Sequence, residues 1–154
     1  FAIKENLEFA DKVYNEGLRI ESYDKASFLT DDLELEKKKY ALLKVEFWLN
    51  SIVLKERCEA EYVNLVYFFA NDPEFEIESE QSTQSEILKD LKEKYGKDLM
   101  LIPLPIDMDI SIINIMKGTY DISKTPTILI NERIKLEGLQ SLDEIESLIE
   151  NEQL

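Results

Sequence analysis

Apolar residues recur at three- and four-residue steps from the start of the chain, at Ile3, Leu7, Ala10, Tyr14 and Leu18, with Glu5, Glu8, Asp11, Lys12 and Glu16 largely between them. This period predicts an amphipathic helix over residues 3–20. Ser22 to Thr30 reads as its break, and Thr30, Asp31 and Asp32 carry side chains that cap a following helix. That second helix is expected from about Leu33 to Cys58. Its apolar positions, among them Leu35, Leu42, Leu43, Val45, Phe47, Trp48, Leu49 and Val53, cover more than one stripe. A helix apolar over so wide an arc should contact both its hairpin partner and another layer, with Phe47 and Trp48 in a core. Residues 1–58 therefore read as a helical hairpin extension, and residues 59–154 as a second domain.

The period changes at Tyr62. Tyr62 through Phe69 is a β-branched and aromatic run with the length of a central buried strand. Asn71-Asp72-Pro73 ends it, with Asp72 as a candidate N-cap and Pro73 suited to a first helical turn. The helix that follows should start between Pro73 and Ser82, turn Ile87, Leu88 and Leu91 inward, and stop at Tyr95 before Gly96. Leu99 to Ile106 is a second apolar run. Its Pro103 and Pro105 cannot donate to a ladder, which predicts an irregular or edge strand. A short helix is expected over Ile110 to Lys117, ended by Gly118. Thr127 to Ile130 reads as a strand, Asn131-Glu132 as a two-residue turn, and Arg133 to Glu137 as a strand closed by Gly138. Ser141 with Glu144 three residues later forms a capping box for a last helix to about Glu150. The order after residue 60 is β-α-β-α-β-β-α. The first two strands, joined by a helix, should be parallel; the last two, joined by a tight turn, antiparallel.

Charge and composition narrow the chemistry. Against 18 Lys and Arg stand 33 Asp and Glu, a formal charge of −15 that repels nucleic acid and anionic lipid headgroups. Lys37-Lys38-Lys39 follows Glu34 and Glu36 at helical spacing and reads as a solvated helix face. Histidine is absent and Cys58 is the single cysteine, so the sequence has no intrachain disulfide, no Cys- or His-based metal site and no imidazole base. A carboxylate site for a hard cation remains open, from Asp107, Asp109 and the Glu74–Glu80 cluster, although no EF-hand spacing occurs. No cofactor is implied. The longest apolar run is far short of a membrane span. The chain begins at Phe1, inside what reads as helix, so upstream sequence is expected to have been removed; the residues name no compartment.

The element order resembles the thioredoxin-like fold: a mixed sheet with helices on both faces, here preceded by the helical hairpin. Tyr120-Asp121-Ile122-Ser123-Lys124-Thr125-Pro126-Thr127-Ile128-Leu129-Ile130-Asn131 is similar to that superfamily's approach to a cis-proline and a hydrophobic strand, and Leu136-Glu137-Gly138 to its last-strand glycine. The resemblance covers about 90 residues and implies a cis Thr125–Pro126 bond. It also implies an active site after the first strand of this unit, where thioredoxins carry Cys-x-x-Cys. Here that region reads Phe69-Ala70-Asn71-Asp72-Pro73-Glu74-Phe75-Glu76-Ile77-Glu78-Ser79-Glu80-Gln81. Two registers put either Asp72 and Phe75, or Phe75 and Glu78, at the cysteine positions; the second is preferred, with Asn71-Asp72-Pro73 as an insertion. Neither supplies sulfur, and dithiol exchange needs one thiolate to attack and a second to resolve. The acidic residue that redox thioredoxins bury on the first strand is also missing, with Tyr67 nearest its place.

The function expected is thus a non-catalytic, redox-inactive thioredoxin-like domain that binds or scaffolds a protein or extended peptide. Its candidate site is Lys124, Thr125 and Pro126 together with Phe75, Glu76 and Glu78, because backbone before a cis-proline pairs with extended peptide without any sulfur. Cys58 reads foremost as a small, partly buried residue. The alternatives are a single-cysteine redox protein working through Cys58 with a partner thiol, and a low-affinity acidic binder of divalent cations.

Overall fold

The computed structural model describes residues 2–25 and 31–153. The chain divides into two compact units, Phe1–Ala60 and Glu61–Leu154. Among the described residues no helix is long and apolar enough to cross a membrane.

The first unit is an antiparallel pair of helices, α1 (Ala2–Lys25) and α2 (Asp31–Cys58). The break expected after residue 20 comes later, since α1 runs on to Lys25; the caps expected at Thr30, Asp31 and Asp32 lie outside the described residues and side chains. The stripe that α1 buries differs from the apolar one in the sequence. Asn6, Val13 and Ile20, seven residues apart, are buried, whereas Tyr14 and Leu18 are 65 % and 49 % exposed. Three contacts to α2 set this rotation. The Asn6 amide donates to the Ser51 hydroxyl at 3.1 Å. Phe9 stacks on Phe47, ring centroids 6.0 Å apart. Gly17 lies so close to the Tyr40 ring that a Cβ there would stand 2.9 Å from Cζ and nearer still to the hydroxyl. On α2, Phe47 and Trp48 are core residues, but Leu35, Leu42, Leu43, Leu49 and Val53 are exposed. The wide apolar arc is therefore half buried and half solvent-facing, narrower in its packing than its composition suggests. Lys44, on the buried side, lies over the Tyr40 ring with Nζ 4.2 Å from its centroid.

The second unit holds a four-stranded sheet in the order β2-β1-β3-β4. Its strands are β1 (Val63–Phe69), β2 (Leu99–Pro105), β3 (Thr127–Ile130) and β4 (Ile134–Glu137). β1 pairs parallel with β2, and β3 antiparallel with both β1 and β4. The proline-bearing β2 occupies an edge, where a missing N–H leaves no neighbour unpaired. Between the strands run α3 (Phe75–Tyr95) and α4 (Ser111–Tyr120), and α5 (Leu142–Gln153) closes the chain. Strand alternation sends Val63, Leu65 and Tyr67 into one core with Leu88 and Leu91 of α3 and Ile145 and Ile149 of α5. Val66 and Phe68 alternate to the other face of the sheet, and Ile113 of α4 is buried outside that cluster.

Three junctions differ from expectation. Helix α4 passes through Gly118 to Tyr120 and stops where Asp121 adopts a left-handed conformation, φ 54°, with its N–H bonded to the Lys117 carbonyl. A short polar side chain tolerates that region, so the glycine was not needed. The β3–β4 connection has three residues between the paired Ile130 and Ile134, so β4 starts one residue later than Arg133. Asn131 and Glu132 both have positive φ. Asn131 is anchored from both ends of the unit: its Oδ1 accepts the Asn64 N–H at 2.9 Å and its Nδ2 donates to Glu152 at 2.9 Å. Asp72 does not cap α3; Glu74 holds that position without a side-chain bond. The cap at α5 forms as expected, the Glu144 N–H donating to the Ser141 hydroxyl at 3.3 Å.

Candidate functional site

The C-terminal end of β1 fixes the site's floor. Phe68 pairs with Thr127, so the turn into β3 stands at the same end of the sheet as the loop that leaves β1 for α3. With one helix-joined parallel pair, one antiparallel hairpin and β1 and β3 at the centre, the arrangement is complete. The fold is thioredoxin-like. The Thr125–Pro126 peptide at the entrance to β3 is cis. Pro126 is buried, and its carbonyl accepts the Gly138 N–H at 2.8 Å, which ties the strand entrance to the end of β4. The Lys124 carbonyl accepts the Thr127 hydroxyl at 2.8 Å. Thr125 is half-buried and Lys124 exposed.

Across from this loop, α3 begins at Phe75. Phe75 and Glu78 therefore belong to the helix, and Asp72 to the loop before it. Phe75 is 84 % exposed and packs in no core. Glu76 and Glu78 are exposed in the first turn, where carboxylates meet the positive end of the helix dipole, and Lys92 and Lys94 complement the last turn. A shallow cleft of about 420 Å³ lies beside the loop, lined in part by Ala70, Asn71, Pro73, Glu78 and Gln81. Of the site residues named from the sequence, it takes in Glu78 alone. Lys124, Thr125 and Pro126 stand at the strand entrance, and Phe75 and Glu76 project from the helix start outside the cleft.

Of the polar groups that shape the loop, the sequence offered Asp107 only as a cation ligand and Gln81 in no role. Asp107, after β2, accepts the Asn71 N–H at 2.7 Å on one carboxylate oxygen and the Asp72 N–H at 2.9 Å on the other. Asp109 accepts from the Asn114 amide at 3.0 Å. These two carboxylates thus hold loops. Among the described residues no three acidic side chains converge as metal ligands would. Gln81 bonds both backbone groups of Ala70 at the β1 exit: Oε1 accepts the Ala70 N–H at 2.7 Å, and Nε2 donates to its carbonyl at 3.1 Å. One turn on, Gln84, fully buried, does the same to Gln140, accepting its N–H at 2.7 Å and donating to its carbonyl at 3.3 Å. The available signal was spacing. Gln81 and Gln84 continue the inward row of Leu88 and Leu91 at helical steps, and a glutamine on such a row needs partners. Tyr67 is buried beneath α3, its hydroxyl donating to the Gln81 carbonyl at 3.2 Å; burial pushes its pKa up, against a Ser85 hydrogen bond. Cys58 is exposed at the end of α2, not partly buried as its sequence context suggested.

No family profile matches the chain, and no curated protein does. Among solved structures, it is similar to one described as a malarial protein, 20% identical, with a TM-score of 0.49 over 60% of this chain and 99% of that one. It is also similar to malaria parasite thioredoxin-2, described as a component of the parasite's protein secretion machinery: 21% identity, TM-score 0.48, covering 58% and 82% of the two chains. Thioredoxin O2 from Arabidopsis thaliana matches at 21% identity and a TM-score of 0.47 over 70% of this chain and 87% of its own.

Proposed function

We propose that residues 61–154 form a redox-inactive thioredoxin-like module that binds an extended protein segment at the Thr125–Pro126 strand entrance. The observation that supports this most is the content of the facing loop. Ala70 through Gln81 contains no cysteine, yet its backbone is pinned at Ala70 by Gln81 and at Asn71 and Asp72 by Asp107. A segment held at three consecutive residues is built to present a fixed surface, whereas dithiol exchange requires two thiols there. Extended peptide can add backbone hydrogen bonds at the strand entrance, while Phe75 offers an exposed apolar contact and Glu76 and Glu78 favour a basic or neutral partner. The module is then not an enzyme, and it needs no cofactor.

The test is an amide-resolved NMR titration with short extended peptides of basic and acidic composition. Shifts at Lys124, Thr125, Thr127 and Phe75, larger for the basic peptide and reduced by added salt, support the reading. Shifts confined to α1 and α2 refute it. Exposure of Cys58 supports one rival, a single-cysteine redox protein. Disulfide-reducing turnover above background that disappears in Cys58→Ser would establish that rival instead.

A further inference from the structure

The two edges of the sheet, β2 and β4, differ in chemistry. In an extended strand the N–H and C=O of one residue point to the same side, and successive residues alternate. The Ile106 N–H donates to the Phe69 carbonyl at 2.9 Å, so Met100, Ile102 and Leu104 face β1, while Leu99, Leu101, Pro103 and Pro105 face outward. Both prolines therefore stand where a donor would be open. The Leu99 N–H is bonded to the Gly96 carbonyl, and the Leu99 carbonyl accepts the Lys92 ammonium at 2.6 Å. Leu101 alone keeps an open outward N–H, and the β2 edge is closed to an added strand.

The β4 edge is open. The Gly138 N–H donates to the Pro126 carbonyl at 2.8 Å, which sets Ile134 and Leu136 toward β3 and Lys135 and Glu137 outward. The Lys135 N–H and carbonyl and the Glu137 N–H find no partner among the described residues. A lysine in mid-edge can guard such a strand. This one is drawn away, its Nζ donating to the Asp121 carbonyl at 2.9 Å and its side chain 29 % exposed.

Charge selects the occupant. The two cations of the β3–β4 hairpin are already matched, Lys135 by Asp121 and Arg133 by Glu152, while Glu137 has no ion-pair partner among the described residues. Helix α5 returns along β4, its Glu152 reaching Asn131 and Arg133, and it carries five carboxylates with no Lys or Arg. The edge thus lies in an acidic field that favours a basic chain. We propose that the outer edge of β4 takes an added strand from a partner protein, an extended segment of alternating apolar and basic residues. A strand laid there closes two hydrogen bonds on Lys135, whichever way it runs, and another on the Glu137 N–H. Its apolar side chains continue the face of Ile134 and Leu136, which are half-buried against the core, and its basic ones lie on the face of Glu137. This surface is separate from the Thr125–Pro126 entrance, and neither depends on the other.

The experiment uses the whole chain, isotope-labelled, with short synthetic peptides of alternating valine and lysine or valine and glutamate. With the valine–lysine peptide at about 1 mM, hydrogen exchange at the Lys135 and Glu137 amides should slow at least about tenfold, with Leu101 unchanged. Lys135→Pro removes the outward N–H and breaks no bond to β3, so it should weaken binding about tenfold; Lys135→Ala keeps the N–H and should bind within about twofold of the parent. No slowing at Lys135, equal slowing with the valine–glutamate peptide, or binding indifferent to Lys135→Pro overturns the proposal. Protection confined to Lys124, Thr125 and Thr127 overturns it while leaving the strand-entrance reading in place. The exchange measurement needs no substitution, so it stands even if Lys135→Pro disturbs β4.

Discussion

Lys44 is the side chain whose replacement should move stability furthest in the favourable direction. It sits in the buried line of α2, 5 % exposed, and burial lowers its pKa from 10.5 to about 7. At 1.36 kcal/mol for each pH unit, a displacement of that size disfavours the ammonium form by on the order of 5 kcal/mol. The Tyr40 ring 4.2 Å away offsets part of this through its negative face. The sign follows from proton counting. Between the folded pKa near 7 and the unfolded value of 10.5, the unfolded chain holds a proton that the folded chain lacks. Stability must therefore rise with pH across that window, and the full charging cost applies below pH 7.

Lys44→Met keeps the stem's volume and removes the charge, so the variant should be more stable than the parent at pH 6, by on the order of 1 kcal/mol or more, with the gain shrinking towards pH 9. Trp48 makes the measurement direct. It is the chain's single tryptophan, fully buried and one turn along the same helix, so its fluorescence reports on the hairpin during urea unfolding. Midpoints at pH 6, 7.5 and 9 should climb for the parent and stay flat for Lys44→Met. A parent midpoint that is flat or falls over that range, or a variant that is less stable at pH 6, refutes the reasoning.

Other substitutions test individual contacts. Gly17→Ala gains up to about 1 kcal/mol in helix propensity but drives a methyl into the Tyr40 ring, so the hairpin should lose about 1–2 kcal/mol net by the same Trp48 unfolding assay. Gln84→Leu keeps the bulk and leaves the Gln140 N–H and carbonyl without their partner, at a cost of about 2 kcal/mol in thermal unfolding of the second unit. Asp107→Asn can accept only one of the two loop N–H groups, and amide exchange at Asn71 or Asp72 should accelerate at least tenfold while β1 stays protected. Asn131→Ala removes the bonds to Asn64 and Glu152 and penalises the positive φ, for a loss of about 2–3 kcal/mol in chemical denaturation.

The second unit was legible because its signals were local and agreed. Tyr62 to Phe69 is β-branched and aromatic but for Asn64 and Leu65, and a strand with neighbours on both sides can bury such a run, as β1 does between β2 and β3. Pro103 and Pro105 marked an edge because a missing N–H is a fixed chemical fact. Ser141 and Glu144 marked α5 because a cap is a contact three residues long. The hairpin was less legible for the opposite reason. The line that α1 buries contains Asn6 and Gly17, an amide and a residue with no side chain, and the hydrophobic period skips both. They face α2 because Ser51 and the Tyr40 ring stand across from them, a pairing between residues 45 apart in one case and 23 in the other. Periodicity along one helix cannot contain it.

The candidate site divides along the same line. Thr125 and Pro126 belong to a contiguous stretch and could be placed from it, whereas Asp107 looked like a spare carboxylate until its two oxygens were seen to hold Asn71 and Asp72. The Glu74–Glu80 segment carries the clearest case. Its charges invited a cation site, but Glu76 and Glu78 occupy the first turn of α3, where the free N–H groups already favour negative charge. An acidic helix start needs no ligand to explain it. The residues that do need explaining there are Gln81 and Gln84, since a buried amide on an apolar row is costly unless each of its atoms is bonded. Each instead closes a two-way bond on the backbone of one residue, Gln81 on Ala70 at the exit of β1 and Gln84 on Gln140 at the approach to α5. Helix α3 therefore holds the loop opposite Pro126 by amide chemistry, with no sulfur in the segment from Ala70 to Gln81.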